Sequence, residues 1–459
     1  MNNIVFPEQI WEQVCETLED TVETAGVLFA RSASGENELT LLSSELHWVS
    51  PDAYLERTAS GMTITSKGYV ALLREAANRG FVPIFLHTHP GQSAEPSDRD
   101  KLVNRQLRSL FASRSPGGYY ASLIIGGAAS TPSFSGRVAR LNNRWTQTSF
   151  SKLRVIGRGW KVYFSTQTNM SQHVTASLFQ RQVLAFGNEG QKVLSRLKIG
   201  VVGAGGTGSA VCELLIRAGV GTLIVIDPDI VEGSNLSRLH EARDRDVGLP
   251  KVAVVKRLAA KLGGRTKVTA VQDTVVKEQV ASYLRHCDVI FGCTDDNAGR
   301  AILSRLAYWY LIPVIDMGFV IRSSFGKIEG LFGRVTTVMP GEACLVCRGR
   351  VDSASIRNEV LTADERHRLI KEGYVPELGN AEPSVGAYTT LIASLGINEM
   401  LSRIFGYARG NGGSELLLRL HDRAMSTNQV EPVSGHYCGD VTLWGRGDAE
   451  PMLGQLWMQ

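Results

Sequence analysis

A chain of 459 residues exceeds what one hydrophobic core usually supports, so two domains are expected, each able to bury a core of its own. Apolar residues at 43% and charged residues at 20% exclude a disordered or fibrous chain. The net charge of +4 comes from scattered Lys and Arg, with no run suited to a phosphate backbone, which sets nucleic acid aside as a partner.

The opening MNNIVFPEQIWEQVCETLED carries acids where a signal peptide needs a basic start, and no stretch reaches transmembrane length. A cytoplasmic protein with no membrane partner is expected. Seven cysteines without an even framework fit a reducing compartment. Val27 to Ala30 reads as a strand, Tyr69 to Ala77 as a helix, Val82 to Leu86 and Ala121 to Ile125 as strands, which is an α+β pattern. The polar stretch Asn142 to Ser151 reads as an edge, giving a first domain over 1–145, a linker over 146–170 and a second domain over 171–459. From Lys198 the pattern becomes α/β: KIGVVG, a helix, TLIVID, then VTAV, DVIFGC and PVIDMG, the alternation of a Rossmann-like, mostly parallel sheet. Val351 to Tyr374 is a charged excursion before an apolar helix over Ala387 to Ile404.

Within the first domain, HTHPGQSAEPSDRD sets His87 and His89 two apart at a strand end, so both imidazoles leave one face and can share a metal with Asp100. Three protein ligands leave a fourth position open, as a catalytic zinc requires. Ser97 with Asp100 also forms a capping box before an apolar helix over Leu102 to Leu110, which does not compete with metal binding. The spacing His-x-His-x7-Ser-x2-Asp resembles the signature of the JAMM (JAB/MPN) metalloprotease family, and Glu23 in ETAGVLFA matches the glutamate that precedes it there. The resemblance covers residues 1–145 and implies a JAB/MPN domain with isopeptidase or precursor-processing activity. It implies that His87, His89 and Asp100 bind zinc, that Glu23 is general base, and that Ser97 stabilises an oxyanion. A glutamate opening a strand is otherwise a solvated edge.

In the second domain VVGAGGTGS follows a strand and opens a helix, so Gly203, Gly205, Gly206 and Gly208 can bring backbone N–H groups to phosphate, while Asp227 ends the next strand near a ribose. An NAD-dependent dehydrogenase fits this much equally well. Asn235 and Arg238 in NLSR, Lys251 in GLPK and Asp295 in CTDDNAGR add cations and one carboxylate, which suit a triphosphate with magnesium and are not needed for hydride transfer. Taken singly, each is an ordinary surface residue or, for Asn235, a helix cap.

This ordered set resembles the ubiquitin-activating-enzyme-like (ThiF/MoeB-like) adenylyltransferases over residues 176–405, beginning at QRQVLAFGNEGQ. The resemblance implies that Asp227 contacts ribose, that Asn235, Arg238 and Lys251 contact phosphates, and that Asp295 binds magnesium. It also implies that Arg181 reaches the ATP of a homodimeric partner. The implied substrate is a ubiquitin-like or sulfur-carrier protein ending in Gly, with zinc, ATP and magnesium as cofactors and a conjugating enzyme downstream. Adenylation and trimming of a peptide in natural-product or cofactor synthesis is the second reading, distinguished by substrate size.

Cys344 and Cys347 in EACLVC match the first Cys-x2-Cys pair by which many relatives hold a structural zinc, and His436 with Cys438 in GHYCGD are the late candidates to complete it. The alternative is two small buried thiols beside a surface histidine. ELGNAEPSVGAY lacks the cysteine that some relatives carry before the late helix, so no thioester on this chain is expected.

Overall fold

The computed structural model describes residues 1–142, 144–166, 176–263, 265–359, 383–408, 413–455 and 457. The chain divides into two compact units, the first Met1–Gln172 with Trp309–Leu311 and Thr442–Ala449, the second the remainder.

The first unit is built on one eight-stranded sheet. Its strands are β1 (Asn2–Pro7), β2 (Ala25–Ser34), β3 (Leu39–Trp48), β6 (Val82–Pro90), β7 (Tyr119–Ala128), β8 (Thr131–Asn142), β9 (Arg144–Ile156) and β10 (Lys161–Phe164), while β4 (Tyr54–Thr58) and β5 (Gly61–Ile64) form a separate hairpin. The order is β1-β3-β2-β6-β7-β8-β9-β10, and β1 also pairs with β9, with Val5 opposite Arg154, so the sheet closes into a barrel. Alternation along each strand divides the apolar side chains: Ile84, Leu86, Leu123, Ile125, Phe150 and Leu153 fill the interior. Phe85, Tyr120 and Ala139 face outward against the helical layer, which contains Leu73 of α2 (Val70–Asn78) with Leu107 and Phe111 of α3 (Asp98–Ala112). Helix α1 (Glu8–Glu16) packs Trp11 and Val14 into the interior cluster.

The stretch 146–170, expected to be a linker, supplies β9 and β10, and the expected edge over Asn142 to Ser151 lies within the β8–β9 hairpin. Its polar residues 146–149 are exposed while Phe150, Leu153 and Val155 enter the core, so polar composition masked the strand. Thr442–Ala449 also groups with this unit rather than the second: Asp448 accepts from Ser34 N at 2.6 Å and donates its own N–H to Ser32 O at 2.8 Å.

The second unit has a sheet ordered β13-β12-β11-β14-β15-β16-β17-β18. Strands β11 (Lys198–Val202), β12 (Thr222–Ile226), β13 (Lys267–Val271), β14 (Val289–Gly292) and β15 (Val314–Ser324) run parallel, and β16 (Lys327–Val338), β17 (Glu415–Arg419) and β18 (Ala424–Asn428) extend the sheet antiparallel. The helices are α4 (Ala176–Arg196), α5 (Gly206–Arg217), α6 (Lys251–Lys261), the single turn α7 (Glu278–Ala281), α8 (Asn297–Trp309), α9 (Ser353–Glu359) and α10 (Gly386–Phe405). The order reverses between β11 and β14, which opens a crevice at the carboxyl ends of those strands, the position of ligands in doubly wound folds. Of the expected excursion over Val351 to Tyr374, residues 353–359 form α9 and 360–374 lie outside the described residues.

Candidate functional site

In the first unit, His87 and His89 sit on the outward face of β6 with Phe85, and α3 crosses that face so that Asp100, in its first turn, lies over both rings. The helix starts there because Ser97 and Asp100 close a capping box: Ser97 N donates to Asp100 Oδ2 at 2.8 Å, and Asp100 N to Ser97 Oγ at 3.2 Å. His87 Nε2 stands 3.1 Å from His89 Nε2 and 3.2 Å from Asp100 Oδ1, and His89 Nε2 lies 3.7 Å from both Asp100 Oδ2 and Glu23 Oε1. Two nitrogens on one tetrahedral zinc stand about 3.3–3.4 Å apart, so the donors fit that ion in kind and in spacing. His89 Nδ1 lies 3.1 Å from Ser93 O, a contact that fixes the tautomer and turns the Nε2 lone pair inward. Gly126 makes room for this loop, since a Cβ there would stand 2.5 Å from Gln92 O.

Glu23 is only 5% exposed. Burial pushes its carboxyl above the usual range, and nearby Asp100 adds to this while His89 opposes it. For Asp100 burial also works against ionisation, but the hydrogen bond and charge of His87, with the Ser97 bonds, hold the carboxyl far below its ordinary value. The Ser97 hydroxyl donates to Asp100 Oδ2 at 2.6 Å and accepts from Asp100 N, so it is committed to positioning that carboxylate rather than open to an oxyanion.

In the second unit the glycine loop spans β11 and α5. Gly203 takes φ +91°, a backbone conformation that favours glycine, and a Cβ on Gly208 would collide with Gly203 O, so helix and loop meet backbone to backbone. Around Gly205 there is open space instead, at the N-terminus of α5, where N–H groups face outward. Asp227 accepts from Ala204 N at 2.6 Å and from Asp229 N at 2.8 Å, tying the loop to the end of β12; its burial raises the carboxyl against these bonds. Lys251 Nζ pairs with Asp229 Oδ2 at 2.7 Å. Arg238 lies 3.4 Å from the Cβ position of Gly206 and donates to Ser234 O at 3.0 Å. Asn235 is buried, and its Oδ1 accepts from Glu232 N at 3.2 Å in a capping box, so the side chain serves at least as a cap. Cys293 O stands 2.6 Å from the Cβ position of Gly203, and Asp295, two residues further on, is exposed. Arg181 is an exposed residue of α4 with no ion pair or hydrogen bond among the described residues.

One group here escaped the sequence reading. Asp316, fully buried on β15 level with the last residue of β14, pairs with Arg334 at 2.6 Å and Arg300 at 3.5 Å. Its signal was an acid inside the apolar run PVIDMG, since a carboxylate is not buried without a partner.

The late segment meets the Cys-x2-Cys pair. His436 Nδ1 lies 3.4 Å from Cys344 Sγ, 3.3 Å from Cys347 Sγ and 3.3 Å from Cys438 Sγ, and the last two sulfurs are 3.5 Å apart. Tetrahedral zinc would set S···N near about 3.6 Å and S···S near about 3.8 Å, so the four donors fit a closed site. Cys212 and Cys287 are buried, burial also raises the Cys15 and Cys293 thiols, and the stretch 377–382 of ELGNAEPSVGAY lies outside the described residues.

The chain is 32% identical over 174 residues to the sulfur carrier protein ThiS adenylyltransferase of Bacillus subtilis (strain 168), covering 37% of this chain and 49% of that protein. It is 33% identical over 161 residues to the SAMP-activating enzyme E1 of Haloferax volcanii, covering 35% and 56%. To the molybdopterin-synthase adenylyltransferase of Escherichia coli (strain K12) it is 31% identical over 175 residues, covering 38% and 68%. The chain thus spans about half to two thirds of the length of these curated relatives. The model of the ThiF family matches residues 179–435, more than half of the chain and the whole of the glycine-loop site, and the chain belongs to that family.

Proposed function

We propose that the second unit uses ATP to adenylate the C-terminal carboxylate of a ubiquitin-like or sulfur-carrier protein. The observation that carries this reading is the glycine loop at the sheet's switch point with Arg238 beside it. Two of the relatives named above are by name a sulfur carrier protein adenylyltransferase and a SAMP-activating enzyme. The N–H groups at the start of α5 receive phosphate, Arg238 and Lys251 hold phosphate oxygens as charge develops on displacement, and Asp227 with the Ala204 loop orients the ribose side. Asp295 would hold magnesium, which neutralises the leaving pyrophosphate. Arg181, exposed and without an ion pair among the described residues, suits a homodimer in which it completes the partner's site, and an external thiol, such as that of a conjugating enzyme, then takes the acyl group. Intact-mass detection of the protein–AMP conjugate after incubation with ATP tests this; its absence with every Gly-ending small protein from the same genome overturns it.

For the first unit the reading is a zinc isopeptidase of the JAMM type, acting on the bond after the same protein's C-terminus. His87, His89 and Asp100 would hold the ion, which polarises the scissile carbonyl when bound. Glu23, buried and with its carboxyl raised, is suited to hold the proton that passes from attacking water to the departing amine. The support is the 3.1–3.7 Å cluster of these four side chains. Cleavage of a ubiquitin-like fusion by zinc-loaded protein, abolished in Glu23→Gln with zinc content unchanged, is the expected result; full cleavage by Glu23→Gln removes the base assignment. The Cys344, Cys347, His436 and Cys438 set is read as a second, structural zinc. No described helix is long and apolar enough to cross a membrane, and a cytoplasmic setting is part of this proposal.

A further inference from the structure

Between α3 and the outer face of β7 and β8, the first unit has a cleft of about 230 Å³ that opens to solvent. Lys101, Asn104 and Arg105 reach it from α3, and Tyr120, Ser122 and Arg137 from the sheet. With Arg108 the lining holds four cations, and among the described residues no carboxylate lines it. Lys101 is paired with Asp98 at 2.8 Å, but Arg105 and Arg137 have no acidic partner among the described residues. The floor is polar: Tyr120 and Ser122 are each 4% exposed, and the Tyr120 hydroxyl donates to Asn104 Oδ1, leaving the amide N–H groups of Asn104 as further donors.

An arginine-rich helix face is ordinarily a solvated one. Here Arg105 from the helix and Arg137 from the sheet line one cleft with the buried Tyr120 and Ser122 beneath, and no carboxylate among the described residues lines it. We propose that this cleft binds the phosphoryl group of a small molecule. Donors from both the helix and the sheet match a tetrahedral dianion with three free oxygens, whereas a planar carboxylate is satisfied by one guanidinium fork. The volume falls below the roughly 300–1,000 Å³ of sites that enclose drug-sized ligands, which favours one or two phosphoryl groups over a whole cofactor. The proposal depends on neither proposed reaction, and within the first unit its lining begins at Lys101, next to Asp100 on α3.

The test uses the full chain with its nucleotide site filled by a non-hydrolysable ATP analogue, titrated calorimetrically with inorganic phosphate and, separately, pyrophosphate at constant ionic strength set by chloride. One further equivalent is expected to bind, about tenfold or more weakly in Arg105→Ala/Arg137→Ala and unchanged in Arg114→Ala, an exposed cation elsewhere. Tyr120→Phe keeps the packed ring and removes only the hydroxyl, and a loss of about fivefold is expected with the fold intact by circular dichroism. No saturable binding, equal binding by the double variant, or tighter binding of succinate than of phosphate overturns the assignment.

Discussion

Glu415 fastens the antiparallel extension of the second sheet, and its replacement by Gln gives a result that can be worked out in advance. The residue is 1% exposed on β17, and its carboxylate accepts from Arg350 at 2.9 and 3.0 Å, from Thr336 of β16 at 2.9 Å and from Asn428 of β18 at 2.7 Å. Burial pushes this carboxyl up, but Arg350, Asn428 and Thr336 together hold it down to about 2, against an ordinary 4.5. At about 1.36 kcal/mol per pH unit that difference corresponds to about 3 kcal/mol, and the third of Arg350 that faces solvent brings it toward about 2 kcal/mol. Because the folded carboxyl ionises more readily than the unfolded one, this stability is fully present above pH 4.5 and drains as pH falls toward 2. Hydrogen exchange of peptides from 327–338 and 415–419 should show about 30- to 150-fold less protection in Glu415→Gln at pH 7, with less than half of the free-energy difference left at pH 3. Equal protection at pH 7, or a difference that does not shrink on acidification, would refute the reasoning.

Gly205 and Gly208 should separate folding from nucleotide binding: Gly208→Ala forces a Cβ onto Gly203 O and lowers stability by about 1–3 kcal/mol, measured by thermal melting. Gly205→Ala, at φ −71° in open space, should leave the melting unchanged and weaken ATP by about tenfold in calorimetry, because its methyl stands where phosphate approaches. Metal analysis of the purified chain should find two zinc ions, one lost in His87→Ala and the other in Cys347→Ser; a single zinc in the parent protein removes one site. Non-reducing gels after incubation with ATP and the cognate small protein should show no dithiothreitol-sensitive adduct on this chain, and an adduct abolished by one Cys→Ala change contradicts that.

What could be read in the sequence was whatever the chain encodes locally. His87 and His89 share a face because a strand has period two, Ser97 and Asp100 lie one helical turn apart, and the glycine motif is nine contiguous residues running from the end of a strand into a helix. The rest depends on partners distant in sequence. Closure of the first sheet needs β1 to find β9 some 150 residues later, which no local pattern announces, so polar β9 read as an edge and β10 as linker. The four-donor cluster needed GHYCGD to return to EACLVC, and only its residue types hinted at that. Ion pairs such as Asp316 with Arg334 and Lys251 with Asp229 are likewise invisible until the sheet brings them together. For Ser97 and Asn235, capping accounts for the geometry seen, and any wider role rests on resemblance.

On the proposed function, the second unit activates a protein carboxylate with ATP. ATP–pyrophosphate exchange tests it most directly: exchange should depend on a small protein ending in Gly, vanish when that Gly is removed, and vanish in Asp295→Ala with the fold intact. Exchange that persists in Asp295→Ala, or that proceeds without any carboxylate-bearing protein, would contradict it.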